Sequence, residues 1–147
     1  MDKNDLAKKW FEKAESDFVV AVHVFEDLHP KQIEIACYHC QQSSEKALKG
    51  YLVSKETEPP KTHDLITLCK LCAEIDPLAG ELLEECGELT LYATTTRYPD
   101  NIEFTEGDAQ TAIKQAKHVL EFMREMAFHN GSNAKCAEPT PEMEDIL

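Results

Sequence analysis

The sequence has no apolar run near the roughly 20 residues that span a bilayer. It has no alternation of apolar and polar residues like that of a half-buried strand, and no internal repeat. These absences argue against a membrane-spanning helix, a sheet-based core and a solenoid. Basic residues are also scarce, with 15 Lys and Arg against 28 Asp and Glu and a net charge of −13 at pH 7. An acidic surface gains no counterion release from a polyanion, so general binding to nucleic acid or to an anionic membrane is not expected. The stretch from Met1 to Trp10 is polar and charged, unlike a secretory signal. A cytoplasmic location is therefore the expectation, and there the six cysteines stay reduced. A chain of 147 residues suits one domain, which buries roughly two thirds of its extended-chain surface.

What is present is helical. Leu6, Trp10, Ala14, Phe18, Ala21, Phe25 and Leu28 step by three or four and predict a helix from Asn4 to Leu28, ended by His29-Pro30. Ile33, Cys37, Cys40, Ser44, Leu48, Tyr51 and Leu52 mark a second helix through Lys55, stopped by the loop ETEPPKTH. Leu65, Leu68, Cys69, Cys72 and Ile75 predict a short third helix. Leu82, Leu83, Cys86, Leu89 and Tyr92 predict a fourth from Leu78 to Ala93, interrupted at Gly87, with Glu81, Glu84, Glu85 and Glu88 on a solvated face. After TTTRYPDNIEF, Thr105 and Asp108 read as the N-terminal cap of a last helix that carries Ala109 to Ala127 on one face and reaches Phe128. The fold class is all-α, an antiparallel four- to five-helix up-and-down bundle over residues 1–129. Residues 130–147 read as a mobile acidic tail.

Two Cys-x-x-Cys pairs, Cys37 with Cys40 and Cys69 with Cys72, raise the question of a metal or redox site. Residues i and i+3 share one side of a helix, so each pair projects from an apolar stripe, where free cysteine packs as a small hydrophobe. A four-thiolate zinc site between helices two and three is the alternative. A redox pair would want a helix N-terminus after a strand. No metal ligand and no cofactor is assigned.

The polar residues beside the first pair carry more. In QQSSEKALKGYL, Gln42, Glu45, Lys46 and Lys49 lie off the apolar stripe, with Glu45 and Lys49 at i and i+4. PKTHDL places His63 and Asp64 at the start of the third helix, and TRYPD places Arg97, Tyr98 and Asp100 after the fourth. His23, His29 and His39 have no obvious partner in the sequence. With AESDFVVA at 14–21, HCQQSSEKALKGYL at 39–52, PKTHDL at 60–65 and TRYPD at 96–100, the chain resembles the HEPN domain family (higher eukaryotes and prokaryotes nucleotide-binding) over residues 7–128.

The resemblance implies a helical bundle, often a homodimer. It also implies a minimal nucleotidyltransferase encoded nearby or fused, in some cases within a toxin–antitoxin pair. Many members that cleave RNA without metal carry Arg, four to six residues, then His, since that chemistry needs a fixed cation and an imidazole. Here no histidine follows Arg97 at that spacing. Arg124 and His129 fit it formally as Arg-x4-His but straddle the end of the last helix, where His129 reads as a cap. No catalytic residue is assigned. Gln42, Lys46, Lys49, His63, Arg97, Tyr98 and Asp100 are the expected ligand-binding residues, Arg97 offering a planar fork for phosphate and Tyr98 a stacking face. The competing reading has Arg97 pairing with Asp100 or Glu45 to lock the turn. The expected function is a nucleotide- or phosphate-binding partner module. A ribonuclease with its site formed across a homodimer, and a purely structural dimerisation module, are the alternatives.

Overall fold

The computed structural model describes residues 2–93 and 103–129. Asp2 accepts from the Asp5 amide and starts α1 (Lys3–Asp27). Helices α2 (Ile33–Ser54) and α3 (Leu65–Ile75) follow. After a 3-10 segment (Pro77–Leu82) come α4 (Leu83–Leu89), a second 3-10 turn (Thr90–Ala93) and α5 (Glu106–Phe128). The described residues are all-helical and contain no strand. They also contain no helix long and apolar enough to cross a membrane.

The core forms where the apolar stripes face each other. Phe11, Ala14, Phe18 and Ala21 of α1 meet Ala47, Leu48, Tyr51 and Leu52 of α2 and Ile113, Ala116, Leu120 and Met123 of α5 in one cluster. Helix α1 runs against both α2 and α5. Ser43 reaches Ala14 while Gly50 approaches Phe11, and Glu15 pairs with Arg124 while Phe11 meets Phe128. Leu6 and Leu28, expected on the buried stripe, are exposed, and Ala7 and Phe11 are buried beside Trp10 instead. From Leu6 to Phe18 the stripe steps in fours, each overshooting the helical turn by about 40°, so Leu6 rotates out of the contact, whereas Leu28 is the C-cap residue with extended backbone and lies outside the helix.

At Gly50 the backbones of α1 and α2 come so close that a Cβ would lie 2.9 Å from the Phe11 ring and 3.0 Å from Trp10 Cβ. Helix α2 ends in a Schellman motif, with the Thr57 amide donating to Leu52 O (2.9 Å) and the Glu56 amide to Val53 O (3.0 Å). Glu56 holds the left-handed position of that motif, φ 58°, which glycine fills most readily. The loop then runs back along α2, so α3 begins beside the middle of α2 rather than at its end. There Gln41 donates to the carbonyl of His63.

The helix expected from Leu78 to Ala93 with an interruption at Gly87 is three pieces, and Gly87 lies inside α4 rather than at either break. Pro77 and the Asp76 side chain, which accepts from the Leu78 amide, set the first 3-10 segment, and Gly80 lowers α-helix propensity within it. At the other end Thr90 is drawn towards α3, its hydroxyl accepting from the Leu65 amide at 2.9 Å. The predicted cap of α5 is present as a reciprocal capping box between Thr105 and Asp108.

Candidate functional site

Helix α2 is enclosed on several sides, so even its polar residues Gln41, Ser43, Ser44, Glu45 and Lys49 are buried. A buried polar group without a partner costs ~1–3 kcal/mol, and each of these has one. Ser43 donates to Ala14 O (2.8 Å), and Ser44 donates back to Cys40 O (3.0 Å). Glu45 is the hub of the rest. Its Oε2 takes Lys49 Nζ at 3.0 Å, and its Oε1 takes His63 Nδ1 at 2.9 Å and Gln41 Nε2 at 3.3 Å. Gln41 also receives Gln42 Nε2 at 2.7 Å. The Glu45 side chain is 6% exposed and that of His63 is 72% exposed, so a buried carboxylate holds the inner nitrogen of an imidazole whose outer edge faces solvent.

A second cluster flanks it. Asp17 of α1 accepts from Lys46 through one oxygen and contacts His39 Nδ1 at 3.0 Å through the other, tying α1 to the outer edge of α2. The half-buried His39, Gln42 and Lys46 thus form a strip along α2, with His63 beside it. Two carboxylates, two lysines and two imidazoles make this strip near neutral or positive, in a chain that is otherwise strongly acidic.

Of the expected ligand residues, Lys49 and His63 meet on opposite oxygens of Glu45, and Gln42 joins them through Gln41. Lys46 is held by Asp17 instead. Arg97, Tyr98 and Asp100, with the alternative pairing of Arg97 with Asp100 or Glu45, lie outside the described residues, as does the tail 130–147. Glu45 and Lys49 are buried rather than off the packed surface, because α3 and its leading loop cover that side of α2. His39 and His23, without an evident partner in the sequence, pair with Asp17 and Asp27. The sequence reading missed Gln41, Asp17 and Thr90. Asp17 is 29 residues from Lys46 and gives no local signal, whereas the i, i+4 spacing of Gln41 and Glu45 was available. Arg124 and His129 are engaged separately, with Glu15 at 3.5 Å and Glu125 at 3.6 Å. His129 is the C-cap residue of α5.

The sulfurs of both Cys-x-x-Cys pairs are buried in the core. Cys69 donates to Ala79 O (3.3 Å) and Cys72 to Leu48 O (3.6 Å). Burial pushes the Cys37 and Cys72 thiols up to about 12. Among the described residues no group of three or more His, Cys, Asp or Glu is placed to hold a metal ion.

The family model for the HEPN domain matches residues 7–126. Among solved structures, TT1696 from Thermus thermophilus is similar at 25% identity and a TM-score of 0.69, covering 82% of this chain and 97% of that one. ST0689, described as an archaeal HEPN homologue, is similar at 26% identity and a TM-score of 0.66 with the same coverage. No curated protein gives a match.

Proposed function

The chain belongs to the HEPN domain family, and from that premise we propose that it is a nucleotide- or phosphate-binding module whose ligand meets the α2 strip at His63, Lys46 and Gln42. The observation that carries the reading is His63 itself. Its ring is exposed, yet its inner nitrogen is fixed by a buried carboxylate that Lys49 and Gln41 also hold. His23, His118 and His129 are also exposed and held by carboxylates, but the Asp27, Glu85 and Glu125 that hold them are 63%, 21% and 17% exposed, against 6% for Glu45. Lys46 keeps further donors beyond the one given to Asp17, and Gln42 keeps its own carbonyl oxygen. Arg97, Tyr98 and Asp100 complete the proposed ligand set from the sequence. The proposed partners are a minimal nucleotidyltransferase, in a toxin–antitoxin-like arrangement, and a second copy of the chain.

Equilibrium dialysis with AMP and ATP tests the binding role. The expected result is saturable binding that His63→Ala, Lys46→Ala and Arg97→Ala each weaken with little change in stability. Arg97→Ala with unchanged affinity, or with simple unfolding, removes Arg97 from the site. Absence of binding to both nucleotides leaves an assembly module without a ligand.

A second reading, metal-independent cleavage of RNA, is favoured by one observation. An imidazole oriented by a buried carboxylate is the arrangement a general base requires. Incubation of the protein with RNA in chelator, with cyclic phosphate ends as the readout, separates the two readings. The acidic surface favours the binding module, since broad RNA contact is opposed by like charge.

A further inference from the structure

The hydrogen-bond pattern around His63 fixes where its hydrogen must be. Lys49 Nζ donates to Glu45 Oε2 at 3.0 Å, and a carboxylate, which only accepts, requires a hydrogen on His63 Nδ1 at 2.9 Å from Oε1. In the neutral ring the outward Nε2 then carries a lone pair, and a lone pair repels an anion. Nε2 becomes a donor only when the ring gains a second proton. The charge balance points the same way. Glu45 and Lys49 cancel, so that proton leaves the cluster with one positive charge that a bound anion neutralises.

Among the described residues no carboxylate other than Glu45 lies within ion-pair distance of that ring. Asp64, next in the chain, is committed to the start of α3, accepting from the Ile66 amide (3.0 Å) and the Thr67 hydroxyl (2.8 Å). From the neighbouring 3-10 turn the neutral Thr90 hydroxyl donates to Asp64 Oδ1 at 3.4 Å. We propose that an oxyanion of the phosphate class binds at Nε2 of His63 and that each binding event takes up one proton from solvent onto that ring. This rests on the binding role proposed above and adds to it the protonation state in which the site accepts its ligand.

Nitrogen-15 spectra of the imidazole ring in the full chain first locate the hydrogen and a pH at which the free ring is neutral. AMP, and separately sulfate, which does not itself titrate near neutrality, are then titrated by calorimetry in two buffers of different ionisation enthalpy. The expected results are a neutral ring protonated on Nδ1 and a buffer-dependent heat corresponding to uptake approaching one proton per anion bound. His63→Gln loses the proton uptake and binds about tenfold more weakly, the loss of one charge-assisted hydrogen bond. Glu45→Gln combined with Lys49→Met, which leaves no buried charge unpaired, shifts the ring towards the Nε2–H tautomer and changes the uptake. Binding with equal heat in both buffers, or a neutral wild-type ring protonated on Nε2, overturns the inference and leaves the binding role standing. Failure of both AMP and sulfate to bind overturns both.

Discussion

His63 Nδ1 lies 2.9 Å from Glu45 Oε1, joining a solvent-facing ring to a carboxylate that is almost wholly buried. The two partners therefore answer differently to substitution. Glu45→Ala strands the Lys49 ammonium, itself 9% exposed at the side chain, and is expected to cost ~3–5 kcal/mol, the usual penalty for breaking a buried pair. Removing both charges, as Glu45→Met with Lys49→Met, recovers most of that loss. His63→Ala leaves stability within about 0.5 kcal/mol of the parent, because its ring packs little. Urea denaturation of the four proteins checks the order.

Asp17 is the corresponding tie on the other side of α2. Asp17→Ala removes the acceptor of both Lys46 and His39 and is expected to cost ~1–3 kcal/mol, with Asp17→Asn losing less because it keeps one acceptor. A double-mutant cycle with Lys46→Met measures how much of the loss belongs to that pair. A coupling energy near zero refutes the clamp.

Two backbone positions move stability in opposite directions. Gly50→Ala forces a Cβ against Phe11 and Trp10 and costs ~1–3 kcal/mol by overpacking. Glu56→Gly relieves a left-handed residue and adds up to ~1 kcal/mol. Thermal melts of both show a fall for the first and a rise for the second.

The buried thiols and Tyr51 set the alkaline limit. Burial pushes Cys37 and Cys72 from the usual range near 9.0, and Tyr51 from 10.0, up to about 12. In each case the unfolded chain loses its proton first. The stabilisation is complete below the unfolded value and is lost as pH rises from about 9 through 12. Stability followed over that window falls, and Cys72→Ala reduces the slope by up to ~1.4 kcal/mol per pH unit. In the folded state at pH 8, Cys37, Cys40, Cys69, Cys72 and Cys86 resist a thiol reagent, since all five are buried.

Much of the fold was legible because its cause is periodic. The stripes of α1, α2 and α5 and the cap at Thr105 follow from spacing that any window of the sequence shows. The break of the fourth helix was not, because Thr90 is held by the amide of Leu65, 25 residues earlier, and no local propensity records that bond. The site divides in the same way. Glu45 with Lys49 is an i, i+4 pair visible on a helical wheel. Glu45 with His63, and Asp17 with Lys46, depend on how three segments dock. The sequence marks such residues as polar, Asp17, Glu45 and Lys46 on helices and His63 in the loop before α3, but not as partners.

The return of the chain along α2 has a dynamic consequence. Glu45 and His63 are 18 residues apart, and their contact closes a ring through the loop that begins after Ser54. A ligand seated on His63 adds its binding free energy to the closed ring, so it suppresses local opening of that loop more than it slows global unfolding. Amide hydrogen exchange along residues 56–64 thus becomes a sensor of occupancy, readable even for a ligand that leaves the rest of the bundle unchanged.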